Sequence, residues 1–561
     1  MSKGTEQTRR RSLPLLLLAI MAGAWLLLWA VLPLYGLFFH TALLAEFGQW
    51  ILLPTRLLFS GQRLTPTLAG VADGPPPPPA LSWQQTGLLL ASFLLLLIVY
   101  LLALRFLPGR AGHRFIIFST VLPGLICIII PVVTSQDIYS YIIYARMGVF
   151  YHLNPLTTSP QAIQGDPTYI HLYWKDQPSA YGPVWIWLTE GLQWLVGLTG
   201  LSDRENIALM VLLLRLCGLV AHLCSVWLIW SISQKLSSPA ITPRLRMLAV
   251  LAFAWNPLLL FEACINAHND ATLLFFVLLA LWLLVRRSPD PATMSDYTGA
   301  TVMLALASCI KVNVVLLFPG LLLLLWTRHK RFYLPGLQLA TYAGIIAVLY
   351  MPFWQQGALL DILRINPGTS RNINTLPEFL SQLYNGVMPL LGLPGGTEIG
   401  SPAEKLLHTA SQALFVVLYA ALLLRTLLPS YHLNSYERLV SWMASAWLLY
   451  CALGAPWFWP WYAVTFFGMF ALVVAIKSTS RQKPEPAQSE RDLQVLLTTS
   501  FFAFSLLSLY CFYTWAPFVS FMPGLSHFRW AFLRGLWVWL LPLLAFLPRL
   551  ASRILNQTNH G

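Results

Sequence analysis

Residues 115–133 read FIIFSTVLPGLICIIIPVV, and residues 134–155 continue TSQDIYSYIIYARMGVFYHLNP. The first run is apolar, uncharged and without period-2 alternation, so it reads as a membrane-buried helix rather than a strand. An acid, Asp137, then stands where that helix surfaces. The pattern recurs in NPLLLFEACINAHND (256–270) and in ALASCIKVNVVLLFP (305–319), where ionisable residues again interrupt or end apolar runs.

The whole chain is built this way. Of its 561 residues 57% are hydrophobic and 10% charged, whereas a soluble domain is about 25% charged. Apolar runs of roughly 20 residues recur about 13–15 times. In lipid only helices and closed barrels satisfy every backbone polar group, and these Leu-rich runs lack the alternation of barrel strands. The expected class is therefore all-α, a polytopic integral membrane helical bundle. The net charge of +14 does not point to nucleic acid, because the cations cluster in short loops: Arg9–Arg11, Arg105 to Arg114, Lys235 to Arg246, Arg286 and Arg287, and Arg328–Arg331. That distribution reads as topology, with those loops inside. The seven cysteines match neither a disulfide framework nor a zinc site. The basic start followed by a long apolar run reads as a retained first helix.

No separate soluble domain is expected: residues 1–561 read as one transmembrane domain with extracytoplasmic loops at about 40–82, 135–182 and 354–406. The run 183–199 is short and carries Glu190, so it reads as interfacial or re-entrant. On this scheme Asp137, His268, Asn269, Asp270 and Lys311 reach one outer level. A Lys or Asp at mid-helix costs about 2.5–3.5 kcal/mol, so such residues sit at an edge or line a wet cavity. Two readings of each stay open. Asp137 is a helix N-cap or a catalytic carboxylate; Lys311 snorkels or captures a phosphate; Arg364 and Arg371 are solvated loop charges or further phosphate ligands. In the amphipathic stretch after Asp137, Tyr141 and Tyr144 share its face and Arg146 lies opposite; Tyr141 and Arg146 are candidate substrate contacts. YGPVWIW (181–187) and APWFWPWY (455–462) read as an aromatic belt or as sugar-binding faces, with Trp459 the candidate.

Four motifs in order, SQDIYSYIIYARMGVFYHLNPLT, WKDQPSAYGPVWIWL, NPLLLFEACINAHNDATLLFFVLLAL and LASCIKVNVVLLFP, resemble the polyprenyl-phosphate-mannose-dependent α-1,6-mannosyltransferases of the mycobacterial type, in the GT-C superfamily. The similarity runs from roughly 115 to 330, with a weaker echo at APWFWPWY. It implies a GT-C-type bundle and transfer of a hexose, by family mannose, from a polyprenyl-phosphate donor to a glycan or glycolipid acceptor outside the cell membrane. Carried over, the loop acid falls on Asp137, the HND element on His268, Asn269 and Asp270, the lysine on Lys311, and YGP on Tyr181, Gly182 and Pro183. The chain departs from several other GT-C families, which have an adjacent acidic pair in this loop.

Glycosyl transfer needs a base for the acceptor hydroxyl and stabilisation of the departing phosphate. Asp137 is the expected base with Asp176 in reserve, Lys311 the phosphate ligand, and no metal or other cofactor is expected. A transporter or lipid-linked sugar flippase is the rival reading.

Overall fold

The computed structural model describes residues 3–31, 83–130, 135–236, 243–361, 373–393, 402–477, 486–519 and 527–546. The expected loop at 40–82 lies outside these residues, as do Arg364 and Arg371. The expected class holds: the described chain is mostly helical, its only β features being two isolated bridges. The helices are α1 (Lys3–Val31), α2 (Trp83–Phe106), α3 (His113–Ile129), α4 (Asp137–Val149), α5 (Pro183–Gly197), α6 (Asp203–Leu236), α7 (Pro243–Ala254), the single turn α8 (Pro257–Leu260), α9 (Asp270–Val285) and α10 (Met294–Ser308). There follow α11 (Phe318–His329), α12 (Tyr333–Tyr350), α13 (Leu376–Val387), α14 (Pro402–Arg425), α15 (Tyr436–Leu449), α16 (Ala463–Lys477), α17 (Pro486–Val519) and α18 (His527–Leu540).

Seven of the described helices are long and apolar enough to cross a membrane, or eight with the bent α7–α8 pair as one span. That is fewer than the apolar runs, for a physical reason. Prolines and polar residues cut several runs short. α9 has 16 residues and rises ~24 Å, less than the ~30 Å hydrocarbon core. Its missing length is supplied by irregular backbone at NAHND, which is tolerated at such depth only when packed inside protein. Asn256, His268, Asn269 and Asp270 are accordingly all buried.

α9 and α10 pack antiparallel. One end of this hairpin carries Asp270 and Lys311, whose charges meet at 2.6 Å. The other carries Arg286 and Arg287, both paired with Asp296 in the first turn of α10. α6 runs alongside with Lys235 at the basic end, where its carbonyl accepts from Ser288. Asp203, at the other end of α6, pairs with Arg146. α5 runs alongside α4: Trp185 meets Tyr141 near their starts, and Gly197 meets Phe150 at their ends.

α6 approaches the turn after α8 closely. That turn, Phe261–Ile265, is a π-helix, a form whose wide ring is common at functional sites. Arg215 of α6, fully buried, donates to the Ile265 carbonyl and to those of Ile128 and Ile130 at the end of α3. One turn on, a Cβ on Gly218 would overlap the Ala263 carbonyl oxygen. Backbone cannot yield as a flexible side chain does. Gly218→Ala is expected to destabilise the protein by about 1–3 kcal/mol or more, read as a lower unfolding temperature of the purified protein in detergent; an unchanged temperature would refute the close approach.

Candidate active site

Asp137 is the first residue of α4, and the cap position belongs to Gln136. The amides of Tyr139 and Ser140 bond the Gln136 carbonyl. The Asp137 carboxylate turns away from its own helix, and its Oδ2 accepts from the Tyr181 hydroxyl at 3.1 Å. Its side chain remains 20% exposed. Burial pushes its pKa above the usual carboxylate value, while the Lys311 ammonium and the Tyr181 hydroxyl pull it back and Asp270 adds to the rise.

Tyr181 is placed by the segment that carries Lys311. Gly182 and Val184 donate their amides to the carbonyls of Ile310 and Cys309. A Cβ at position 182 would overlap the Cys309 carbonyl, so only glycine permits this stitch. Pro183 then occupies the first turn of α5, where its missing N–H costs nothing. YGP is thus one device: a facing tyrosine, a close approach and a helix start.

His268 sits under Asp137, with Nδ1 at 3.8 Å from Oδ2 and 3.4 Å from the Tyr141 hydroxyl. It follows Ala267, which adopts a left-handed φ of 55°. That conformation is unfavourable for a residue with a Cβ, and such strain concentrates where a side chain must be aimed. Burial and the nearby Lys311 hold the imidazole pKa well below its usual value. Its other nitrogen lies 3.5 Å from Glu262, and one face stacks on Trp461 at 3.8 Å.

Lys311 is an extended residue (φ −140°, ψ 129°) between α10 and the turn Val312–Leu317. Its ammonium bonds Asp270 Oδ2 and lies over the Tyr462 ring at 4.9 Å and the Tyr181 ring at 6.0 Å. Tyr181 thus touches both Asp137 and the surroundings of Lys311. The fully buried Asn269 carboxamide and Asp270 Oδ1 meet no hydrogen-bond partner among the described residues. Polar groups left this way are costly in a finished core and suit a site awaiting a polar ligand. No group of three metal-ligating side chains gathers among the described residues.

Asp137, Tyr141, Tyr181, His268, Asp270 and Lys311 therefore come together, with Asn269 adjoining. Trp459 reaches the group indirectly, stacked on Trp461. Arg146 does not join it. It is buried against Asp166 and Asp203 at 2.7 Å each and Asn206 at 3.2 Å, strapping α4 to the following loop and to α6. Asp176 is exposed in that loop, outside the hydrogen-bonded group.

The sequence reading passed over Glu262, Tyr510 and Trp461. Glu262 Oε1 accepts from the Tyr510 hydroxyl at 2.8 Å and Oε2 from Asn266 at 2.9 Å. A signal was present, since a carboxyl inside PLLLFEACI is expensive unless used. Tyr510, in the apolar α17, gave none. Glu262 anchors Tyr510 and Asn266, while its 3.5 Å approach to His268 Nε2 is a contact without a hydrogen bond. Glu262→Gln turns one accepting oxygen into a donor, so it should destabilise the fold by about 1–3 kcal/mol, read as a lower unfolding temperature in detergent; an unchanged temperature would refute the anchoring role.

Residues 77–328 match the model of a family described as alpha-(1->6)-mannopyranosyltransferase, N-terminal domain. An alpha-(1->6)-mannopyranosyltransferase of Mycobacterium tuberculosis is 28% identical over 155 residues, 27% of this chain and 24% of the relative. A probable alpha-(1->6)-mannopyranosyltransferase of Mycolicibacterium smegmatis is 28% identical over 159 residues, 27% of this chain and 25% of the relative. The matching segments thus span about a quarter of these relatives' length. The resemblance read from the four motifs is borne out over 77–328, which contains Asp137, Tyr181, Glu262, His268, Asp270 and Lys311 but not Trp461, Tyr462 or Tyr510.

Proposed function

We propose that this protein is a GT-C-type membrane glycosyltransferase that moves a hexose, mannose by family, from a polyprenyl-phosphate donor to a glycan or glycolipid acceptor. The observation that carries the reading is the pairing of a partly exposed carboxylate, Asp137, with a cation, Lys311, across one tyrosine. Asp137 takes the proton of the acceptor hydroxyl as its oxygen attacks the anomeric carbon. The bond from that carbon to the phosphate oxygen breaks, and the electron pair leaves with the lipid phosphate, beside the Lys311 ammonium. A general base contributes typically about 10²–10⁴-fold, and a fixed cation at the developing charge contributes through preorganisation. One in-line displacement inverts the centre, so a β-linked donor gives an α-linked product.

Topology supports an extracytoplasmic site. Arg286, Arg287 and Lys235 share one end of the bundle, and the acids of the site lie at the other. Basic loops face the cytoplasm. The loops at 135–182 and 354–406 would then face outside, in a single membrane domain.

The bend of 43° between α7 and α8 favours the transporter reading most, because transporters use broken helices. The two are separated by incubating the purified protein in liposomes with radiolabelled polyprenyl-phosphate mannose and a mannoside acceptor. Label in the acceptor supports transfer; label moved between leaflets, still on the lipid, would replace this reading with the transporter.

A further inference from the structure

Ala455 and Trp459 have extended backbone, with φ −80° and ψ 114° at Ala455 and φ −106° and ψ 158° at Trp459, and between them the chain bends at Pro456 and forms a bridge at Trp457. The bridge is to Ile373, whose amide donates to Pro456 and whose carbonyl accepts from Phe458. In extended backbone, alternate side chains take opposite faces, and residues two apart sit ~7 Å from each other. Phe458 points inward, fully buried, against Trp539 and Phe502. Trp457 and Trp459 therefore share the other face, and both are half-buried.

Their rings extend the site in two directions. Trp459 lies parallel to Trp461, with centroids 5.2 Å apart and planes 1° apart. Trp461 stacks on His268, whose Nδ1 is 3.8 Å from Asp137. Trp457 meets Trp174 of the 150–182 loop at 5.0 Å. The buried Trp457 indole N–H has no hydrogen-bond partner among the described residues, leaving one donor for a ligand hydroxyl.

We propose that Trp174, Trp457 and Trp459, joined to the site through Trp461 packed between Trp459 and His268, form a platform that binds the acceptor as a chain of several sugar rings, rather than as one sugar. The inference rests on the transfer reading above, because it places the reacting hydroxyl at Asp137 and the remaining sugars along the indoles. An indole face is electron-rich and attracts the partly positive C–H groups on the flat side of a pyranose. Lipid is served elsewhere, by exposed apolar residues of α12 and α14 such as Leu337, Val348, Val416 and Leu424. The platform sits instead on irregular segments and a bridge, with a hydrogen-bond donor among its rings.

The test compares an α-(1→6)-linked mannotetraose with methyl α-mannoside as acceptors for wild type, Trp174→Ala, Trp457→Ala and Trp174→Phe. Both alanine variants should raise KM for the tetraose about tenfold, the scale of one or two aromatic stacking contacts, while kcat is kept, so that the tetraose loses its advantage over the monosaccharide. Phenylalanine at 174 should restore most of it. Equal losses on both acceptors would mean a structural role and overturn the platform. So would the absence of any loss, which leaves an interfacial aromatic belt. Tetraose binding without donor, followed by tryptophan fluorescence, separates the two readings. If binding occurs and weakens in the alanine variants while no donor is ever used, the platform stands and the transfer reading fails; if wild type binds no tetraose, the platform fails on its own.

Discussion

Asp137→Asn should abolish sugar transfer, by about 10²–10⁴-fold, with the protein folded and inserted as before. Asparagine matches the shape of the aspartate and still offers an oxygen to the Tyr181 hydroxyl, 3.1 Å away in the native site. What it lacks is a place for the acceptor proton. The native carboxylate is raised above its ordinary pKa by burial and lowered by Lys311 and Tyr181, with Asp270 raising it again. A base works ionised, so activity should fall as pH drops through that raised value, at higher pH than for an exposed aspartate. The neighbours then shift the acid limb in opposite directions. In any Lys311→Met protein that retains measurable transfer, the limb moves to higher pH, because the lowering cation is gone. In Asp270→Asn it moves to lower pH, because the raising anion is gone. The measurement is a pH–rate profile of label transfer in liposomes, with folding checked by gel filtration. Transfer by Asp137→Asn within a few-fold of wild type would return Asp137 to a structural role and make Asp176 the next acid to test.

How much of this was legible in the sequence depends on distance along the chain. Apolar run length carries the helical membrane class, because lipid leaves few alternatives for the backbone. Asp137, His268, Asp270 and Lys311 stood out because a charge beside an apolar run is expensive and must be explained locally. Contacts between distant segments were not legible. Arg146 sits on the α4 face opposite Asp137, yet nothing in its own neighbourhood announces Asp203, which arrives only when α6 packs. Tyr510 lies 248 residues from Glu262 and looks like any tyrosine in an apolar helix. Hydropathy measures composition and not continuity, so it does not show how NAHND turns the chain inside the protein, where Asn266, His268, Asn269 and Asp270 are all buried.

Lys311→Met should cost both folding and chemistry, and the two can be separated. Lys311 is 12% exposed and its partner Asp270 not at all. Removing one member of a buried pair leaves the other charge uncompensated, typically at about 3–5 kcal/mol. The single variant should therefore be poorly folded, and its inactivity alone would say nothing about phosphate. Replacing both members by neutral groups is often tolerated, so Asp270→Asn/Lys311→Met should recover much of the folded yield. If Lys311 served only to neutralise Asp270, that double variant would recover transfer as well. If the ammonium meets the leaving phosphate, the double variant folds but stays inactive or nearly so, and its affinity for the polyprenyl-phosphate donor falls. The native geometry suits such an exchange of partners: Asp270 Oδ1 and the Asn269 carboxamide have no partner among the described residues, and the ammonium already lies between the rings of Tyr181 and Tyr462. Lys311→Arg keeps the charge but replaces a compact ammonium with a planar fork, so it should fold better than methionine at this position and recover part of the transfer. A double variant with wild-type turnover would refute the phosphate role and reduce Lys311 to one half of a buried ion pair.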